Sequence, residues 1–240
     1  MRFSVSACSD TGRKRSANED FYAVEEKLAL FVVADGLGGH VAGRRASELG
    51  VAALIESVGS NPDGSPPEVL RRAFASANEV ILEVASADSE LRGMGTTLAA
   101  LWLRGEQAVL AHAGDSRLYL LRAGKLHGLT LDHSLVGERV ARGELTAEQA
   151  RVHPSRHVIT RAVGVVPWIE PDVAALQVRP GDLFVLCSDG ISSQVADADI
   201  AHCLAGRAGS VEGAAEALVA LANARGGEDN ATVVLVCIPG

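Results

Sequence analysis

The stretch Phe31-Val32-Val33-Ala34-Asp35-Gly36-Leu37-Gly38-Gly39-His40 decides how the rest of the chain is read. A short, valine-rich apolar run from Leu28 to Ala34 has the composition of a buried β-strand. It ends in a carboxylate and breaks at once into glycines, which allow a backbone approach that a β-carbon would block. An aspartate on a rigid strand end, beside accessible glycine carbonyls, is an oxygen donor set of the kind that hard divalent cations take. Alone, the stretch fits equally well an ordinary strand-to-helix turn capped by Asp35, so its meaning depends on whether the form recurs.

It does recur. Leu183 to Cys187 is a second apolar strand running into Ser188-Asp189-Gly190, and Gly114-Asp115-Ser116-Arg117 interrupts two strand-like runs. Asp229-Asn230 precedes the last apolar run, Ala231 to Ile238, and an acidic pair, Glu19-Asp20, follows Arg13-Lys14-Arg15 near the start. Each has a plain reading by itself, as a solvated loop, a turn residue bonding its own backbone or a surface charge. Taken together, converging strand ends would gather four to six carboxylates on one edge of a sandwich. Unit charges about 4 Å apart repel by roughly 4 kcal/mol at an effective dielectric near 20, so such a cluster needs cations. Two divalent ions would offset four of the eight excess negative charges. Ions about 3.5–4 Å apart share a water and lower its pKa from ~15.7 toward ~7, which makes a hydroxide for in-line attack on phosphorus. Arg15 is placed to hold the non-bridging phosphate oxygens bidentately, and no nucleophilic side chain is required.

The intervening chain supplies the scaffold. Residues 3–8 alternate as a strand, and Phe21 to Val24 with Leu28 to Ala34 reads as a hairpin. Ala42 to Val58 and about Glu68 to Ser86 carry apolar residues at helical spacing, separated by a Pro/Gly/Ser turn. Two consecutive helices after a hairpin suggest an antiparallel pair covering one face of a sheet. Leu98–Leu103, Ala108–Ala113, Leu118–Arg122 and Lys125–Leu131 form a meander, so the sheet is mainly antiparallel. Asp132 to about Ala162 is polar and patchily helical, over Ser134–Arg142 and Thr146–Arg151, with His133, His153 and His157; an insert of this length is often functional. Pro171 to Val178 is a further strand, and Asp197–Leu204 and Val211–Arg225 look helical.

The 240 residues are 48% hydrophobic and 22% charged, ordinary for a globular chain, and the net charge of −8 argues against a nucleic-acid surface. No apolar run approaches the roughly 20 residues of a membrane span, and Met1 to Ser6 has no long apolar signal region, so a cytoplasmic protein is expected. Cys8, Cys187, Cys203 and Cys237 lie far apart and read as reduced thiols. Cys8 and Cys187 merit a look as nucleophiles, but neither is followed six positions on by the arginine of a cysteine-phosphatase loop. No Gly-Lys-Ser/Thr and no Gly-x-Ser-x-Gly occurs, which argues against a nucleotide-triphosphate loop and an α/β-hydrolase elbow. The Gly-Asp-x-His and Gly-Asn-His elements of calcineurin-like metallophosphatases are absent too.

Arg15-Ser16-Ala17-Asn18-Glu19-Asp20, Asp35-Gly36-Leu37-Gly38-Gly39-His40, Gly93-Met94-Gly95-Thr96-Thr97, Gly114-Asp115-Ser116-Arg117, Ser188-Asp189-Gly190 and Asp229-Asn230 span nearly the whole chain. In that order they resemble the motifs of the bacterial metal-dependent type-2C serine/threonine protein phosphatases. The resemblance implies an α+β fold, a four-layer α/β/β/α sandwich of two antiparallel sheets flanked by antiparallel helix pairs. It implies one catalytic domain over 1–240 with a flap insert at about 132–162. It implies two Mn2+ or Mg2+ ions and hydrolysis of phosphoserine and phosphothreonine in proteins. By position Asp35 would bridge the ions, Asp189 and Asp229 complete the first site, and the Gly36 carbonyl bind the second. Glu19 and Asp20 would act directly or through waters, Asp115 with Asp189 would form a third, weaker site, and Arg15 would bind the substrate phosphate. Two departures stand out. Leu37 occupies the place of the histidine after Asp-Gly in eukaryotic relatives, so His40 or a metal-bound water is the candidate general acid. His157 aligns with a flap serine that contributes to the third site in some relatives. Phosphoproteins, with an opposing serine/threonine kinase among them, are the expected partners of a monomer. The alternatives are a catalytically silent relative that binds phosphoproteins or senses a signal, and a phosphatase serving a partner-switching regulator.

Overall fold

The computed structural model describes residues 2–206 and 211–240, and for His40 the backbone alone. Its scaffold is two five-stranded antiparallel sheets packed face to face. The first runs β1 (Ser4–Asp10), β12 (Ala231–Cys237), β11 (Leu183–Cys187), β8 (Arg117–Arg122), β9 (Lys125–Gly128). The second runs β10 (Asp172–Gln177), β7 (Gln107–Ala113), β6 (Leu98–Arg104), β3 (Leu30–Ala34), β2 (Phe21–Glu25). A two-stranded ribbon, β4 (Gly36–Leu37) with β5 (Gly95–Thr96), continues from β3. Helices α1 (His40–Ser60) and α2 (Pro66–Ala87) cover the second sheet; α5 (Asp189–Ser192), α6 (Asp197–Leu204) and α7 (Ala214–Ala224) cover the first. Two short helices, α3 (Leu135–Ala141) and α4 (Ala147–Arg151), lie between β9 and β10.

The apolar runs are continuous because the central strands are buried on both faces. Successive side chains of a strand point to opposite sides. In β3, Leu30, Val32 and Ala34 pack toward α1 and α2, while Phe31 and Val33 pack between the sheets. In β11, Leu183, Val185 and Cys187 face α5–α7, while Phe184 and Leu186 meet Phe31 and Val33 in the shared middle layer. Each fully buried Val, Leu or Phe contributes about 1.5–3 kcal/mol, so three stacked cores hold the edge of the sandwich as a rigid platform.

The differences from the sequence reading are at element ends and in two very short elements, the β4–β5 ribbon and α5. Strand β3 begins at Leu30, not Leu28, because Ala29 takes φ 53° in a turn after β2. Strand β9 stops at Gly128, because Thr130 Oγ1 accepts the Leu118 N–H and the Leu131 carbonyl turns to His112 Nε2. The helix read over Val211–Arg225 begins at Ala214. The β4–β5 ribbon was not foreseen: two residues a side carry no periodicity to read.

Candidate active site

The edge of the sandwich where β3, β11 and β12 begin or end gathers the carboxylates. Asp35 follows β3, Asp189 follows β11, Asp229 precedes β12, Asp20 precedes β2, and Asp115 lies in the turn from β7 to β8. Asp35 and Asp189 share a side-chain hydrogen bond, and Asp35 feels the charges of Asp20, Asp189, Asp115 and Asp229. Asp20 is raised to about 7, chiefly by burial and further by Asp189 and Asp229. Asp115 is raised to about 8 by burial, then Asp189 and Asp132. Asp189 is raised to about 6 by burial and Asp229, with His157 and Arg15 opposing. Burial and four neighbouring carboxylates push Asp35 well above the usual carboxylate range.

The chain invests in placing these groups. Thr97 Oγ1 accepts the Asp35 N–H (3.0 Å), and the Asp35 carbonyl accepts from Thr97 N–H (2.8 Å) and Thr96 Oγ1 (2.9 Å). Ser116 shares a 2.7 Å hydroxyl bond with Thr97, and Ser188 Oγ donates to Asp20 Oδ2 (2.7 Å) while accepting the Thr232 N–H. Asn230 Oδ1 accepts the Glu19 N–H (2.8 Å), and its amide donates to the Thr11 and Ala17 carbonyls, which fixes the loop carrying Arg15, Glu19 and Asp20. Gly36 is needed for close approach, since a β-carbon there would run into the Gly43 and Glu19 carbonyl oxygens. Gly114 needs both space and conformation: it takes φ 115°, and a β-carbon would lie 2.5 Å from Thr97 Cγ2. Sequence reasoning singled out Gly93–Thr97, Ser188 and Asn230 as motif members but missed these positioning roles, as it did that of Ser116. Small hydroxyls and amides beside the acids were the available signal.

Despite this framework, Asp20 Oδ1, Asp115 Oδ1 and Asp189 Oδ1 are buried with no hydrogen-bond partner. A buried acceptor without a donor costs about 1–3 kcal/mol, more when charged. These oxygens, together with the Asp35 carboxylate, are hard oxygen donors of the kind that divalent cations of the magnesium or manganese type take. Asp229 is engaged otherwise: its Oδ1 accepts the Asn230 N–H and its Oδ2 pairs with Arg15 at 2.8 Å. The Arg15 side chain is half exposed at the mouth of the cluster and its charge reaches Glu19 and Asp35. His40 opens α1, but its side chain lies outside the described residues.

The other candidates separate clearly. Burial pushes the Cys187 thiol up to about 12 and also raises Cys8, the reverse of what a thiolate nucleophile needs. His153 is bound within the 132–162 segment, to Arg139 (3.2 Å) and the Ser155 N–H (3.1 Å). His157 is exposed, and its charge reaches Asp189. His133 stacks on His112 with ring centroids 4.5 Å apart and planes 9° from parallel, near Asp172. The Gly114 N–H occupies His133 Nδ1 and the Leu131 carbonyl occupies His112 Nε2, so this pair ties the segment after β9 to β7. His112, His133 and Asp172 bring one ligand atom each within 4.8 Å of one another; because His133 Nδ1 accepts the Gly114 N–H, the neutral ring carries its proton on Nε2, toward Asp172 Oδ2 at 3.3 Å.

Residues 11–223 match the family model described as protein phosphatase 2C. The chain therefore belongs to the protein phosphatase 2C family. It is 37% identical over 238 residues to protein phosphatase PhpP of Streptococcus pneumoniae, covering 97% of this chain and 96% of that protein. It is 41% identical over 230 residues to the serine/threonine protein phosphatase PstP of Mycobacterium tuberculosis, covering 95% of this chain but only 44% of the length of PstP. The crystal structure of the catalytic domain of a serine/threonine protein phosphatase PstP in complex with two manganese ions superposes with a TM-score of 0.89. It is 37% identical, with 99% of each chain covered.

Proposed function

We propose that this chain hydrolyses phosphoserine and phosphothreonine esters in proteins with two divalent cations, manganese or magnesium, held at the Asp35 cluster. The observation that carries the reading is the set of buried, unpartnered carboxylate oxygens on Asp20, Asp115 and Asp189 around Asp35. Asp35, Asp189, Asp229 and the Gly36 carbonyl would hold the two ions, with Glu19 and Asp20 beside them, and Asp115 with Asp189 would take a third, weaker one. Bound there, the ions supply an acidified water and neutralise charge at the phosphorus. The chain's own residues do the rest. Thr96 and Thr97 lock Asp35, Ser188 orients Asp20, and Asn230 holds the Arg15–Asp20 loop against β12. Arg15 spends one nitrogen on Asp229, which braces the guanidinium to present its other donors to the phosphate oxygens. The leaving-group proton would come from His40, by its place after the glycines, or from a cation-bound water.

The whole of 1–240 acts as one catalytic domain, with residues 132–162 as a flap beside the site. Phosphoproteins are its substrates, an opposing serine/threonine kinase among them. Among the described residues no helix is long and apolar enough to cross a membrane. We place the chain's action in the cytoplasm, as a monomer, as part of this reading. The test is phosphate release from a phosphothreonine peptide with manganese, with magnesium and with chelator, for the parent protein and Asp189→Asn. Metal-dependent turnover that collapses in the variant is expected; a folded protein that binds metal and turns over nothing would overturn the enzyme in favour of a binding relative.

A further inference from the structure

A groove of about 670 Å³ opens beside the carboxylate cluster, walled by Leu37, Val165, Val166, Trp168 and Ile159, with Arg161 along one side. Trp168 is 72% exposed, Val165 52% and Val166 43%, a contiguous apolar surface of the kind that marks a binding site. These residues are not on a slack loop. The buried Asn78 of α2 accepts the Gly164 N–H at 2.7 Å and donates to the Val166 carbonyl at 2.9 Å. Gly164 itself packs so closely on Ile81 that a β-carbon would collide with it. Val163 exchanges two 2.9 Å backbone bonds with Thr96. The wall is thus held rigid while presenting apolar side chains to water, so little ordering cost remains to be met on binding.

The groove and the site share part of their framework. Thr96 bonds both Val163 of the wall and the Asp35 carbonyl. Leu37, opposite Gly95 in the ribbon, lines the groove one residue after Gly36 and two after Asp35. A polypeptide advances at most about 3.3–3.6 Å per residue, so a chain whose phosphate sits at Asp35 reaches the groove within a few residues. The charged groups on the groove's edge are largely satisfied: Arg161 is held by Asp172 (2.7 Å) and the Glu170 carbonyl (3.1 Å). What the groove offers is apolar area.

We infer that this groove is a specificity subsite for the phosphoprotein substrate. It takes one large apolar side chain, aliphatic or aromatic, lying within about four residues of the phosphorylated serine or threonine. The inference rests on the phosphatase reading above. It is tested with the whole chain on phosphothreonine peptides in which a single leucine or phenylalanine is moved through each of the four positions on either side, against an all-alanine parent. Hydrolysis of p-nitrophenyl phosphate, too small to span cluster and groove, reports turnover at the cluster alone. One or two adjacent placements are expected to raise kcat/KM about 10-fold or more, the effect of burying such a side chain. In Trp168→Ala and Val166→Asp, each peptide value divided by the aryl phosphate value should lose that preference to within about 3-fold. Thermal unfolding of each variant verifies its fold. A flat scan in the parent, or a preference that survives both variants, overturns the groove's role. Failure on the aryl phosphate as well overturns the phosphatase reading beneath it. A flat scan together with a Trp168-dependent change in sedimentation would assign the face to a second copy of the chain and equally defeat the proposal.

Discussion

Two aspartates that flank strand β11 of the first sheet, one buried and one half-buried, make an instructive pair. Asp182, one residue before β11, is 1% exposed and takes the Arg122 guanidinium in two bonds of 2.7 Å, with the Arg179 N–H on the same carboxylate. Asp189, just past the other end of the same strand, shares its surroundings with Asp35, Asp20, Asp115 and Asp229 and keeps an oxygen without a partner. The strand thus carries a neutralised acid at one end and a crowded one at the other. A fold built only for stability would pair both, since an uncompensated buried charge is among the most expensive features a chain can retain. The contrast separates a carboxylate that holds the sheet together from one kept for an external cation.

The strongest way to sharpen the contrast is Asp189→Asn. It should lower phosphopeptide turnover by about 10³-fold or more, because several kcal/mol of cation-derived stabilisation are lost. The metal-free variant should unfold at the same or a higher temperature than the parent, since one member of a repelling set is gone. A variant that loses stability along with activity would erase the distinction. Arg122→Ala should do the opposite. It leaves Asp182 buried without its partner and should cost about 3 kcal/mol in denaturant unfolding, the low end for breaking a buried pair, as Arg122 itself is partly exposed. Activity per folded molecule should hold.

Titration gives a third handle. Asp189, Asp20 and Asp115 retain protons up to about 6, about 7 and about 8, against an ordinary carboxylate value near 4. Across that window the folded, metal-free chain binds more protons than the unfolded one, so its stability should fall as pH rises from about 4 to about 8. Cations must displace the same protons. Their affinity should climb with pH over this range and level off above it, with proton release on binding. Calorimetry in buffers of different ionisation enthalpy reads that release directly, and affinity independent of pH between about 5.5 and 8 would contradict the assignment of unpaired acids. The smallest effect is expected from Thr97→Val, which leaves the Asp35 N–H without its acceptor. A loss of about 1–3 kcal/mol in denaturant unfolding is expected for the unpaired groups, with a roughly 10- to 100-fold loss of kcat per folded molecule as Asp35 shifts; full kcat would show that the frame does not position Asp35.

Much of this was legible before any coordinates. The apolar runs ending in Asp35 and Asp189 marked the strand ends, because burial on both faces forces such runs to be unbroken. The recurrence of aspartate beside glycine then marked one edge. The hydrogen-bond frame was not legible, because Thr96, Thr97, Ser116 and Asn230 act through partners 19 to 219 residues away. A threonine looks the same in sequence whether it faces water or clamps a carbonyl. Nor could the groove be foreseen: Val165, Val166 and Trp168 look like core residues, and only the Asn78 anchor shows that they are held outward.

The pairing of β1 with β12 has a consequence for how the molecule comes into being. The loop carrying Arg15, Glu19 and Asp20 is shaped by Asn230, and the ladder beside it runs from Ser4 opposite Cys237 to Asp10 opposite Ala231. Two segments 211 residues apart in the sequence are therefore the ones that must meet. A nascent chain halted before residue 229 would have the hairpin, both long helices and the meander, yet no finished cation site. Competence at the site therefore waits for β12, however much of the rest has already folded.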